Sequence, residues 1–509
     1  MPLIPHAILI DKSLSVPVYL QISNNIINQI RSGTLPPGAT LPGSRQLAAA
    51  LGVHRKTVIA AYDELYAQSW VEVIARKGIF VARQLPELTP QPMMQGGAKQ
   101  DYPRESYFQL NKNLFPDVMS AVTQAEQHLY FNDGFPDTRL APIDLLIREY
   151  RRFGSYRFTP KYLMYGPVHG SENLRNELAG FLAKTRALNV SAENIIITKG
   201  AQMALYLVSQ VLFKRNDVII VADPGYKGAN EVFEHAGALV RYVPVDDQGM
   251  DLDAVEDICK IESVRAVYVI PHHHMPTTVS LSQDRRIRLL ELARIHRFAI
   301  FEDDYDFDFQ YTGNPILPLA SADRHGSVVY IGSFCKTIAP GIRIGFIVAP
   351  ANLISQTATL RKLIDRQGEQ LLEEAIANLL KNGDISRHLK KMNKIYHERR
   401  DLLAALLNSH LNGKLRFRLP DGGFAIWAEY LNGVKPARVA EIAFEMGLNI
   451  GNVADYFSNN PRPQPFVRLG FASMNESELK DAVSILARAY DKALQEKTSN
   501  LTPQLSPAS

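Results

Sequence analysis

The sequence predicts a two-part α/β protein: a small helical domain ending in a hairpin, and a large body built on a mostly parallel sheet. Three observations carry this. Over roughly the first eighty residues, three helical patterns are followed by two short strand patterns. From Gln84 the composition turns to Pro, Gln, Gly and Met without periodicity. Beyond that stretch, short and wholly apolar runs alternate with helical patterns, which implies a sheet buried on both faces.

A chain of 509 residues is longer than one ordinary core supports. With 46% hydrophobic and 21% charged residues it has a globular balance, which excludes a disordered chain. No apolar run approaches a membrane span, and residues 1–11 lack a basic start followed by a long apolar stretch, so a cytoplasmic location is expected. Cys259 and Cys335 are too few for a disulfide framework and sit at no metal-ligand spacing; both are expected as reduced thiols. The net charge is +4, and residues 1–83 alone hold eight Lys/Arg against four acids. The whole excess therefore lies in the first sixth, where it suits attraction to phosphate.

In the first domain, Ile22, Ile26, Ile27 and Ile30 recur at helical spacing until Gly33, Pro36, Pro37 and Gly38 break the pattern. Ser44 is the expected N-cap of a second helix carrying Leu47 and Leu51, which Gly52 ends. In a third, beginning near His54, Val58, Ala61, Tyr62 and Leu65 make one packing face. That leaves Arg55, Lys56 and Thr57 exposed at the helix N-terminus. Residues 70–74 and 79–82 read as two strands of a wing with Arg76-Lys77-Gly78 at its tip. A helix-turn-helix sets the first residues of its recognition helix against base edges while nearby basic groups hold phosphates. Arg45, Arg55, Lys56, Thr57, Arg76 and Lys77 are the candidate DNA contacts, although a solvated helix face has the same charge pattern. The run LPPGATLPGSRQLAAALGVHRKTVIAAYDELYAQSWVEVIARKGIFVA resembles the winged helix-turn-helix of GntR-family regulators. The family's usual Ser at the start of the recognition helix is His54 here.

Residues 84–118 are expected to form a linker and residues 119–495 the body, followed by a frayed tail over 496–509. Strands are expected near 194–198, 218–222, 239–243, 266–270, 298–302, 328–332 and 344–348. From about Arg361 the pattern turns largely helical, with strand-like pieces near 424–429 and 466–471, which suggests a smaller α+β subdomain.

Within the body, SFCKTIAPGIRIG places Ser333 three residues before Lys336 and Arg343 seven after it, and FEDDYDF carries Asp303 and Tyr305 after an apolar strand. ITKGAQMAL sets Gly200, Ala201 and Gln202 at a strand-to-helix junction, where backbone N–H groups and the helix dipole favour phosphate. These motifs resemble a fold-type I aminotransferase. Such enzymes use a lysine that forms a Schiff base with pyridoxal 5′-phosphate, an acid for the pyridine nitrogen, and donors for the phosphate. The resemblance implies Lys336 for the Schiff base, Asp303 on the pyridine nitrogen and Tyr305 on the 3′ oxygen. It implies Ser333, Arg343 and the Gly200–Gln202 segment on the phosphate, and Tyr226 of DPGY stacked on the ring. Tyr165 of YGPVHG matches a tyrosine that reaches the phosphate of a partner subunit, which implies a dimer. Arg468 of FVRLG matches the arginine that holds a carboxylate as a bidentate pair. Each alone has a bland reading as an ion pair or packing group; agreement in order and spacing carries the assignment. No metal is expected: His272, His273 and His274 are adjacent in what reads as an extended segment, where side chains alternate, so they are placed at the pocket mouth instead.

A GntR-like head joined to an aminotransferase-like body resembles the MocR/GabR-type subfamily of transcription regulators over nearly the whole chain. That resemblance implies promoter DNA as partner, a head-to-tail homodimer, and a body that senses an amine, an amino acid or pyridoxal phosphate with little or no turnover. Two rivals stand beside it: a working aminotransferase with an accessory DNA-binding head, and a regulator whose pocket has lost the cofactor. At Met275-Pro276-Thr277-Thr278 many aminotransferases carry Asn-Pro-Thr-Gly, the Asn donating to the cofactor's 3′ oxygen. A thioether cannot donate, so Tyr305 acts without that partner unless His273 or His274 substitutes.

Overall fold

The computed structural model describes residues 8–11, 13–86, 104–109, 129–132, 134–155, 159–451, 456–457 and 464–501. They fall into two compact units, divided between Phe115 and Pro116. Most of the expected linker, 84–118, lies outside the described residues.

The first unit contains α1 (Val18–Arg31), α2 (Ser44–Leu51), α3 (Arg55–Ala67), β1 (Val71–Ile74) and β2 (Gly78–Val81). Ile22, Ile26, Ile27 and Ile30 of α1 share one core with Val58, Ala61, Tyr62 and Leu65 of α3, so the two apolar stripes read from the sequence meet. Gly52 stops α2 in the left-handed region, φ 64°, where a side chain is disfavoured. The expected capping role of Ser44 is corrected. Gly43 occupies the cap position and makes no side-chain bond, while Ser44 Oγ accepts from Arg55 Nε at 3.3 Å. His54 takes the cap of α3: its Nδ1 accepts from the Lys56 N–H at 3.2 Å. The wing is antiparallel, with Ile74 opposite Gly78, and Thr40 bridges to Phe80 at its outer edge.

In the second unit β3 (Leu129–Phe131) precedes an eight-stranded sheet of β4 (Ile195–Thr198), β5 (Val218–Asp223), β6 (Leu239–Asp246), β7 (Gly249–Met250), β8 (Val264–Val269), β9 (Ala299–Asp304), β10 (Val328–Ser333) and β11 (Gly345–Val348). The order is β4-β11-β10-β9-β8-β5-β6-β7. The pairs β10–β9, β9–β8, β8–β5 and β5–β6 are parallel; β11 runs against both neighbours, and β7 runs against β6. Successive residues face opposite sides of a strand, so Ile219 and Phe301 join a core on one face while Ile220 and Ile300 join a second core on the other. This double burial is why the strands read as continuous apolar runs. The chain leaves β4, β9 and β10 at one end of the sheet, which gathers Gly200, Asp303 and Lys336 there.

The small lobe holds β12 (Leu415–Phe417), β13 (Ala425–Tyr430), β14 (Leu448–Ile450) and β15 (Phe466–Gly470). β12, β13 and β15 form an antiparallel sheet, whereas β14 pairs in parallel with β3. The expected frayed tail is corrected for its first residues. The last helix, Glu476–Leu501, runs through them because Arg438 pairs with Glu496 at 2.7 Å and Lys497 Nζ donates to Asn432 O at 2.7 Å. No helix among the described residues is long and apolar enough to cross a membrane.

The capping geometry predicts that His54→Ala lowers the stability of the first unit by about 1 kcal/mol in urea unfolding, and that His54→Ser restores most of it.

Candidate functional site

A cavity of about 320 Å³ lies at the sheet end where Gly200, Asp303 and Lys336 converge. Of the residues assigned to the cofactor from sequence, all but Gly200 and Tyr165 line it, joined by Phe135, Met275 and Cys335. Lys336 Nζ donates to Gly134 O at 2.7 Å and sits 4.1 Å above the Phe135 ring. Those two residues were not singled out in the sequence, since nothing local marks a loop that folds back onto a lysine some two hundred positions away.

One end of the cavity is shaped for an anion. Gly200, φ 83°, caps the helix Ala201–Leu212, whose first N–H groups have no acceptor within the helix. Arg343 closes over it: a Cβ on Gly200 would stand 2.8 Å from its Nη2, which donates to Lys199 O at 2.8 Å. A Cβ on Gly345 would in turn stand 2.7 Å from the Gly200 backbone. Backbone, helix end and guanidinium therefore fit only with glycine at both positions. Ser333 Oγ accepts from the Cys335 N–H at 3.1 Å, and Tyr226 donates to Gln202 Oε1 at 3.2 Å, which fixes both side chains on this wall.

The other end is shaped for a cation. Asp303 is buried near the end of β9; its Oδ2 accepts from Tyr268 at 2.8 Å, and its Oδ1 has no hydrogen-bond partner among the described residues. Burial pushes the carboxyl up to about 7, the Tyr268 bond works against that rise, and Asp304 and Asp306 add to it. An unmatched buried carboxylate oxygen costs roughly 1–3 kcal/mol, and a protonated ring nitrogen would satisfy it. A phosphate-bearing pyridine thus fits both ends of the cavity, with Lys336 lining the same wall. Tyr268 was missed in the sequence because it sits inside an apolar strand. The available signal was its hydroxyl, which needs a partner when the ring is buried.

Tyr305 donates to His273 O at 3.0 Å and lies within hydrogen-bonding reach of Arg468. Arg468 is buried and donates to Pro276 O at 2.5 Å. Tyr165 lies away from the cavity, 73% exposed, with the Arg366 guanidinium 4.0 Å over its ring. The placement of the three histidines at a pocket mouth is corrected: all are buried. The segment is bent rather than extended, with φ 44° at His273 and 62° at Thr278, and each ring is engaged. His272 Nε2 meets Ile316 O at 2.6 Å, His273 meets Asp306 at 3.0 Å and Gln310 at 3.1 Å, and His274 meets Thr277 Oγ1 at 2.9 Å. Among the described residues no group of His, Cys, Asp or Glu is disposed to hold a metal.

On the first unit, Arg45, Arg55, Lys56, Arg76 and Lys77 are exposed and Thr57 is half-buried. Arg76, φ 64°, lies in the turn between the paired strands of the wing.

Removing the Tyr268 hydroxyl should weaken retention of a cationic ring. Tyr268→Phe leaves Asp303 without its one stabilising bond, so its carboxyl ionises only at higher pH. We expect about tenfold weaker binding of pyridoxal phosphate at pH 7, narrowing at pH 9 where the carboxylate is ionised in both proteins, as measured by equilibrium dialysis.

Comparison with known proteins agrees with this division. Residues 146–486 match the family model for aminotransferase class I and II, and residues 18–81 match that for bacterial regulatory proteins of the gntR family. A probable rhizopine catabolism regulatory protein, MocR of Rhizobium meliloti, is 28% identical over 95% of this chain and 96% of its own length. The HTH-type pyridoxine biosynthesis transcriptional regulator PdxR of Corynebacterium glutamicum is 26% identical over 95% of this chain and 99% of its own. The crystal structure of Pyrococcus horikoshii kynurenine aminotransferase, in complex with PMP, superposes with a TM-score of 0.68 at 26% identity, covering 72% of this chain and 92% of that one. With a gntR head and an aminotransferase class I and II body aligned end to end with such regulators, the chain belongs to the MocR-type GntR family.

Proposed function

We propose that this chain is a pyridoxal-phosphate-dependent transcription regulator whose head binds promoter DNA and whose body senses an amine, an amino acid or pyridoxal phosphate itself. The observation that carries the reading is the cavity, where a lysine, an acid with one unmatched oxygen and an arginine-covered helix end converge, in a chain that also bears a helix-turn-helix. The named regulators similar to both halves support it.

Lys336 would hold pyridoxal phosphate through its amine, and the group would supply a visible chromophore and an electrophilic carbon open to amines. The chain's own groups do the rest. Asp303 Oδ1 would hold the proton on the ring nitrogen, Arg343, Ser333 and the N–H groups after Gly200 would hold the phosphate, and Tyr226 would pack on the ring. Arg468 receives an effector carboxylate by exchanging its bond to Pro276 O. Sensing is favoured over turnover by Met275: it lines the cavity and donates nothing, while the His273 and His274 rings are occupied with Asp306, Gln310 and Thr277. Amine exchange needs only an accessible lysine, whereas transamination also needs repeated, well-placed proton transfer. A buried Arg468 beside a complete lysine set favours the second reading, an aminotransferase with an accessory head.

The protein works in the cytoplasm as a head-to-tail homodimer, with the linker at 84–118 joining head and body. Tyr165, with exposed Leu163, Met164 and Leu363 nearby in sequence or at its Arg366 neighbour, supplies apolar surface suited to a partner subunit. In the head, Arg55, Lys56 and Thr57 face the bases, and Arg45, Arg76 and Lys77 the phosphates.

Three outcomes test this. Lys336→Ala should lose the borohydride-reducible visible absorbance of the holoprotein. Each phosphate-contacting residue removed, Arg76 or Lys77 for instance, should reduce the log–log salt slope of operator binding by about 0.9. Against a panel of amino acids and amines, the visible spectrum should shift and operator affinity change with little keto-acid release; rapid multiple turnover at constant DNA affinity would establish the enzyme instead.

A further inference from the structure

A second cavity, about 780 Å³, opens between the β6–β7 edge of the large sheet and the β12–β13–β15 sheet of the small lobe. Strand register fixes one wall. Residues directly opposite in an antiparallel pair face the same way, as do alternate residues along a strand. Trp427 stands opposite Arg468, and Glu429 opposite both Phe466 and Arg416, so these five side chains share one face of the small sheet. The Trp427 and Phe466 rings stack with centroids 5.1 Å apart and planes 17° apart. Facing them are Asp247, in the turn between β6 and β7, and Thr277 and Thr278.

The chemistry of this cleft differs from that of the cofactor cavity. Four carboxylates and two arginines line it; Asp246 is paired with Arg285 at 2.6 Å and Glu429 with Arg416 at 2.5 Å, which leaves Asp247 and Asp421 against Arg418. No lysine lines it among the described residues, so an occupant is held without a covalent bond. Phe466 is sandwiched between Trp427 and Phe457, so the end of this aromatic stack, beside Asp247 and Asp421 with one carboxylate in excess over arginine, selects a flat apolar body bearing a positive charge. The cleft also adjoins the first site. Met275 lines the cofactor cavity, Thr277 and Thr278 line the cleft, and the Arg468 guanidinium donates to Pro276 O between them.

We propose that this cleft is a second binding site, for an aromatic organic cation held non-covalently, one loop away from the cofactor cavity. The site itself is independent of Lys336; only its influence on the effector carboxylate rests on the role given to Arg468 above.

The probe is benzyltrimethylammonium, whose quaternary nitrogen cannot form a Schiff base, titrated by calorimetry into the full-length holoprotein. Saturable binding is expected, with the same dissociation constant in Lys336→Ala and no loss of visible absorbance in the parent protein. Asp247→Asn and Trp427→Leu should each weaken it roughly tenfold, and tetramethylammonium, which lacks the ring, should bind as weakly as the variants allow. Asp247 is exposed in a turn, so its variant keeps the test valid if Trp427→Leu fails to fold. Absence of saturable heat, affinity unchanged by Asp247→Asn, or loss of binding in Lys336→Ala would overturn the proposal. Visible absorbance read on the same samples reports the cofactor separately, so failure of one reading is distinguishable from failure of the other.

Discussion

The body is organised around a carboxylate that its own fold leaves half satisfied. Asp303 is the last residue but one of β9, the strand between β8 and β10, and among the described residues it receives one hydrogen bond, from Tyr268 of β8. The next residue faces the other side of the sheet, where Asp304 Oδ2 accepts from Tyr330 at 2.6 Å with Arg186 3.9 Å away, and Oδ1 stands 3.4 Å from His272 Nδ1. Two neighbouring acids are thus sorted by strand alternation: one is neutralised within the fold and one is held open toward a cavity. Burial raises the Asp303 carboxyl to about 7 from an ordinary 3.8, so between those values the folded chain keeps a proton that the unfolded chain gives up. Stability of the empty protein therefore falls as pH rises through that window, and a cation on Oδ1 reverses the loss. Ligand binding and folding are coupled at this one oxygen.

The rest of the site follows from that position. Parallel strands leave the sheet at a common end, so the turn after β4, the acid of β9 and the lysine after β10 meet without long loops. Gly200 and Gly345 are needed where Arg343 and the helix start approach each other too closely for a Cβ. What arrives from outside this framework is the Gly134–Phe135 loop, which supplies the acceptor for Lys336, and the β15 arginine.

Much of this was legible in the sequence because it rests on local periodicity or short motifs. Doubly buried strands announce themselves as apolar runs, and the lysine, acid and glycine segments each sit at the end of one. The parts that were not legible depend on the backbone bending or on contacts distant in the chain. The histidine run reads as extended, yet φ 44° at His273 turns its rings inward toward Asp304, Asp306 and Thr277. α2 starts at Ser44 itself, which puts Gly43 at the cap and leaves Ser44 Oγ to accept from Arg55, a residue eleven positions on. The last helix continues past Glu496 because Arg438 is there to pair with it. The cleft above β13 and β15 is built from strands that are separated widely in sequence, and only their register brings Trp427, Phe466 and Arg468 to one face.

If the body senses an effector as proposed above, the bent Met275–Thr278 loop is where binding would become a signal. An effector changes an equilibrium only by as much as it binds two states differently, so the loop must make contacts in one state that it lacks in another. Arg468 offers such a contact. Its guanidinium is buried and bonded to Pro276 O, and a carboxylate that captures it removes that bond while leaving the carbonyl in need of another donor. A hydrogen bond from a charged donor is worth roughly 1.5–3 kcal/mol. A tenfold change in affinity needs about 1.4 kcal/mol. One exchanged bond at Pro276 is therefore of the right size to shift a regulator between two states, and no wholesale rearrangement of the sheet is required.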